Sequence, residues 1–203
     1  MNEAPYTSMN ADIQARLWRE FKAGDADALG RLAEVHYRAL YNYATRFSHD
    51  PDFIRDAIQE LYLDLWERRN FLSETAFVKS YLLKALRHKM IKESARLRRF
   101  HEPHEAAFDT ESNDLPIESL MIESEHVQFQ HERLEQIITN LSKRQQEIIY
   151  LRFYQNLNHE EIAAVMALGK QSVSNLLYRT LKEIRDVWAP AEFCWTMLLC
   201  FMQ

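Results

Sequence analysis

The residues best placed to do chemistry run from His159 to Arg179, HEEIAAVMALGKQSVSNLLYR. The stretch opens like the zinc-protease motif HExxH. Its fifth residue is Ala163, so the second ligand is absent and zinc hydrolysis is not expected. The other histidines show no metal-ligand spacing, and no metal or other cofactor is expected. What the stretch does fit is a helix-turn-helix. Ala163 supplies a small residue inside the first helix, and Ile162, Met166, Leu168, Val173 and Leu176 supply apolar anchors. Lys170, Gln171, Ser174, Asn175 and Arg179 fall on the outer face of the second helix, free to meet base edges and phosphates. Ala167 occupies the turn position that commonly holds glycine and is expected to bear a small left-handed cost. Gly169 then suits the N-cap of the second helix.

Two further groups carry charge in patterns. Residues 77–99 hold eight Lys or Arg against one acid, Glu93. Lys84, His88, Lys92, Arg96 and Arg99 recur at helical spacing on one face, and Phe71, Phe77 and Tyr81 sit at its start. Cations beside aromatic platforms suit single-stranded DNA, where phosphates meet charge and splayed bases stack. The same spacing also fits a solvated helix with core aromatics. Earlier in the chain, Asp56, Glu60 and Asp64 stand four apart, opposite Ile58, Leu61 and Leu65. Paired carboxylates could serve acid–base or metal chemistry. The chain offers them no nucleophile constellation, no glycine-rich loop and no second acidic cluster, so no catalytic residue is expected. A protein-docking face is the preferred reading of this stripe.

The elements that must position these groups are helices. Only Gly24, Gly30 and Gly169 break a chain of 203 residues, too few for sheets joined by tight turns. An all-α fold is expected, with two helical domains joined by a flexible acidic linker. Apolar stripes mark four helices over residues 10–99: Ile13, Leu17, Phe21; Leu32, Val35, Ala39, Tyr43; Ile58, Leu61, Leu65; and Leu83, Leu86, Met90. Residues 100–131 carry eight Asp or Glu, no Lys or Arg, and two prolines, the composition of a linker. Periodicity resumes over 132–188, where Ser142 with Gln145 and Asn158 with Glu161 have capping-box spacing. An apolar tail, 189–203, follows.

The net charge of −5 hides this segregation of basic and acidic segments. Two cysteines, Cys194 and Cys200, make no disulfide framework, and the N-terminus lacks the pattern of a signal peptide. The tail is too short to span a bilayer. The expected location is the cytoplasm.

Taken together, the segments resemble the extracytoplasmic-function group of sigma-70 factors. GDADALGRLAEVHYRALYNYATRF and DPDFIRDAIQELYLDLWERR are similar to the family's first conserved region. FVKSYLLKALRHKMIKESAR is similar to its promoter-melting region, with Tyr81 and His88 where the family often has Trp and Asn. LSKRQQEIIYLRFYQNLNHEEIAAVM and SVSNLLYRTLKEIR are similar to its C-terminal helix-turn-helix region. The resemblance covers about residues 10–187. It implies an RNA polymerase subunit that performs no chemistry itself. Asp56, Gln59, Glu60 and Asp64 would dock on the clamp of the core polymerase. Lys79, Tyr81, Arg87, His88 and Lys92 would engage and open the −10 element of promoter DNA. Lys170, Gln171, Ser174, Asn175, Tyr178 and Arg179 would read the −35 element as duplex. An anti-sigma factor is a further partner the resemblance admits. The alternative is a helix-turn-helix regulator that binds duplex DNA without polymerase, which leaves the acidic stripe and the basic helix without a purpose.

Overall fold

The computed structural model describes residues 4–100 and 134–188. The expected linker lies almost wholly outside these residues, and the expected tail at 189–203 lies entirely outside them. The chain divides into two compact units.

The amino-terminal unit is built from four helices: α1 (Ala4–Lys22), α2 (Ala26–Ala44), α3 (Pro51–Arg68) and α4 (Val78–Phe100), with a 3₁₀ turn at Arg69–Phe71. Local signals set each boundary. Gly24 takes φ +102°, and the Asp25 amide returns to the Glu20 carbonyl at 3.1 Å, closing α1 with a left-handed glycine. Asp25 is at once the N-cap of α2, its side chain accepting from the amides of Asp27 and Ala28. Asp50 caps α3 in the same way, and Pro51 stands at its first turn. α1 packs on α2, α2 packs on α3 and α4, and α3 packs on α4.

The buried face of each helix follows the expected stripes with two differences. In α1, Ile13 is exposed and Trp18 is fully buried beside Leu17 and Phe21. In α2, Val35 is exposed and Ala39 only half-buried, and His36, at 3% exposure, and Leu40 take the core positions between Leu32 and Tyr43. Leu32 followed at i+3 or at i+4 satisfies helical periodicity equally well, and packing against α3 and α4 selects i+4.

The carboxy-terminal unit begins with a helix over residues 134–140, here α5. It continues with α6 (Lys143–Ile149), a π-helical turn (Tyr150–Tyr154), α7 (His159–Met166) and α8 (Lys170–Val187). Ser142 and Gln145 form the expected capping box. Gln145 also donates to Glu183 at 2.6 Å, which ties the start of α6 to α8. Buried Gln146 donates to the carbonyls of Thr139 and Leu141, satisfying the end of α5. The π turn adds a residue to the ladder, so Tyr150 and Leu151 are buried while Phe153 is turned toward solvent. Among the described residues no helix is long and apolar enough to cross a membrane.

Candidate nucleic-acid interface

The helix-turn-helix forms as its sequence requires. Asn158 caps α7, accepting from the amides of Glu160 and Glu161, while Glu161 accepts in return from the Asn158 amide. At the other end of α7, Ala167 takes φ +54° and the Leu168 amide donates to the Ala163 carbonyl at 2.9 Å. This is the Schellman arrangement with alanine where glycine is preferred. Gly169 has extended backbone at the N-cap of α8, with no side chain to cap it.

Ile162, Val165, Met166, Val173 and Leu177 are buried, and Leu168 and Leu176 are half-buried. The expected DNA-facing set is therefore turned outward: Lys170, Gln171, Asn175, Tyr178 and Arg179 are exposed and Ser174 is half-buried. Tyr178, at 69% exposure, is the most open of the large apolar side chains among the described residues of this unit. Several of these groups already have partners. Lys170 is ion-paired with Glu160 of α7, which holds the Glu160 carboxyl below the usual range through its hydrogen bond and then its charge. Gln171 donates to Asn175 at 3.1 Å, one turn away. Two side chains able to read base edges are thus held in a shared orientation.

In the amino-terminal unit, a cleft of about 540 Å³ opens between α3 and α4. Its floor is apolar, with Leu61, Leu65 and Leu72, and its walls carry Tyr81, His88 and the cations Arg68, Lys84, Lys89 and Lys92, with the carboxylates Asp64 and Glu93 among them. Tyr81 is fixed from behind: its ring meets the Trp18 indole edge-on at 5.0 Å between centroids. The indole NH of Trp18 donates to the Ser73 carbonyl at 3.0 Å, and Lys22 pairs with Glu74 at 2.7 Å. α1 thereby pins the loop that leads into α4. Around that loop Phe71, at 86% exposure, and Phe77 present their rings to solvent.

Of the residues expected to engage the −10 element, the fold brings Tyr81, His88 and Lys92 to this cleft. Lys79 and Arg87 are half-buried and do not line it, and Lys79 lies close enough to His36 to act on it electrostatically.

The acidic stripe of α3 is also only partly as expected. Asp56, Gln59, Glu60 and Asp64 are all exposed on one side of the helix. However, Lys89 of α4 reaches across to pair with Glu60 at 2.7 Å and Asp64 at 3.0 Å. Burial works against the Lys89 ammonium, but its hydrogen bonds to Glu60 and Asp64 outweigh that cost and raise its pKa. Helical spacing alone assigns Lys89 no partner, because it relates residues of one helix and not a residue to one on another helix. Among the described residues no group of His, Cys, Asp or Glu could hold a metal ion.

Comparison with known proteins bears on both units. The family model for sigma-70 region 2 matches residues 32–100, and that for sigma-70 region 4 matches residues 137–186. The ECF RNA polymerase sigma factor SigK of Mycobacterium sp. (strain KMS) is 20% identical over 182 residues, covering 90% of this chain and 92% of the relative. SigX of Bacillus subtilis (strain 168), also an ECF sigma factor, is 23% identical over 157 residues, covering 76% and 80%. Among solved structures, CnrH in complex with the cytosolic domain of CnrY aligns with a TM-score of 0.58 at 18% identity, over 86% of this chain and 96% of that one. The sigma factor RpoE from Bartonella quintana, in complex with the anti-sigma factor NepR, aligns with a TM-score of 0.59 at 16% identity, over 78% and 94%. With both conserved regions present in order on an all-helical scaffold, the chain belongs to the extracytoplasmic-function group of the sigma-70 family and is an RNA polymerase sigma factor.

Proposed function

We propose that this sigma factor divides its work among three surfaces. The outer face of α3, with Asp56, Gln59, Glu60 and Asp64, docks on the clamp of the core polymerase. The cleft and aromatic ledge beside α4 engage the −10 element as single-stranded DNA. The outer face of α8 reads the −35 element as duplex. The observation that carries the reading is the α3–α4 cleft, where cations line the walls, Tyr81 is braced by Trp18, and the floor is apolar. A splayed base finds stacking and apolar contact there, and its phosphates meet Lys84, His88 and Lys92. At −35, Gln171 and Asn175 exchange their mutual hydrogen bond for base-edge contacts, and Lys170 and Arg179 approach phosphates.

In this reading the sigma factor supplies recognition and strand capture, and catalysis belongs to the polymerase. Residues 100–131 link the two units, and their carboxylates pass through a basic channel of the polymerase. An anti-sigma factor is a further partner; it is supported by the fold shared with RpoE, whose structure is a complex with one. Reconstitution tests the reading. Core polymerase given this chain should initiate at promoters selected from a random library, and core alone should not. Failure to co-elute with core, together with tight binding to duplex DNA by the chain alone, would favour a stand-alone regulator.

A further inference from the structure

The outer face of α3 carries one exposed leucine among its polar and acidic groups. Leu63 is 62% exposed. The other leucines and isoleucines of α3, namely Ile54, Ile58, Leu61 and Leu65, are buried. Leu63 stands one turn from Gln59, Glu60 and Glu67 and two turns from Asp56, all of them exposed, so an apolar knob is ringed by polar and acidic groups. An apolar centre inside a polar rim is the anatomy of a protein–protein interface.

The rim also identifies what covers it. Asp56 and Glu67 have no ion-pair partner among the described residues, whereas Lys89 engages Glu60 and Asp64 from the inner edge. A face of carboxylates repels nucleic acid, and a second copy of the same face would set like charge against like. It fits a cationic protein surface. We propose that Leu63 is the anchor of the polymerase-docking face, seated in an apolar pocket of the core polymerase rimmed by Lys or Arg, with Asp56 and Glu67 as the rim charges that select it. This rests on the reading of α3 as the docking helix and adds to it the residue that holds the complex together.

The test compares affinities of the full-length chain for the core polymerase of its source bacterium. Leu63→Ala should weaken binding at least tenfold at both low and high salt, with an unchanged melting temperature. Leu63→Met should bind as the parent does. The double variant Asp56→Arg, Glu67→Arg should lose binding most at low salt, where charge attraction is least screened. If Leu63→Ala binds normally while the double variant fails, the anchor is refuted and the docking helix stands. Normal binding by both refutes both. A loss in Leu63→Ala that tracks a lowered melting temperature makes Leu63 structural and overturns the proposal.

Discussion

His36 is a titratable group in a place built for hydrocarbon. It is 3% exposed, and its Nε2 has no hydrogen-bond partner among the described residues. Burial, and then the charge of Lys79, lower its pKa from 6.5 to about 4. The unfolded chain therefore takes up this proton near pH 6.5 and the folded chain only near pH 4, so protons in that window favour unfolding. The stability is full above pH 6.5 and declines as pH falls, by about 3 kcal/mol once pH 4 is reached. In thermal melts between pH 7.5 and 4.5, His36→Leu should lose less stability than the parent; equal loss would show that this histidine is not the sensor. A second prediction belongs to single residues of α8. Lys170→Ala or Arg179→Ala should each reduce the log–log salt slope of −35 binding by about one unit. Gln171→Ala or Asn175→Ala should relax base preference by about 1–3 kcal/mol at one position and leave the slope alone. Competition binding on a promoter library at several salt concentrations separates the two effects.

Helix ends are the next scale, and two of them make a matched pair. α1 and α7 each finish with a left-handed residue, Gly24 at φ +102° and Ala167 at φ +54°. Glycine adopts this conformation freely, and an L-residue there costs about 1–2 kcal/mol. Glycine also enlarges the unfolded ensemble, which offsets part of the gain. Ala167→Gly should therefore raise the stability of the carboxy-terminal unit by about 0.5–1 kcal/mol, and Gly24→Ala should lower that of the amino-terminal unit by about 1 kcal/mol. Denaturant melts of the two variants check both signs. α4 shows a different property of an element. Its core face is Val78, Leu82, Leu83, Leu86 and Met90, and its open face carries Lys84, His88 and Lys92. Lys89, with a side chain only 16% exposed, sits between them and ties the helix to α3.

For the whole molecule, the proposed division of labour makes the defects separable. Lys84→Glu with Lys92→Glu reverses charge on the cleft wall, and both residues are exposed, so folding should be spared. That variant should co-elute with core polymerase yet fail to open promoter DNA, as read by permanganate reactivity of unpaired thymines. Asp56→Arg with Glu60→Arg should fail earlier, at co-elution itself. A cleft variant that melts promoters normally would move strand capture elsewhere in the chain. The charge distribution, not the net −5, sets this behaviour: acids on α3 and cations on α4 lie on neighbouring helices of one unit.

Much of this was open to reading from the residues alone, for physical reasons that are local. Helix spans follow from apolar spacing, and their ends follow from Asp25, Asp50, Ser142 and Asn158 at N-caps and from Gly24 and Ala167 at turns. Each involves residues within a few positions of one another, so spacing suffices. The outward face of α8 was legible for the same reason. Other features depended on what stood across a helix interface. Periodicity allowed either Val35 or His36 into the core, and packing chose the histidine. The π turn shifted Phe153 outward without any local signal. Lys89 meets Glu60 and Asp64 only because α4 lies against α3, and Trp18 reaches Ser73 across 55 positions of chain. The cleft exists only as the space between two packed helices. A sequence carries the period of each helix, but the partner of a side chain that leaves its own helix is set by where the neighbouring helix comes to rest.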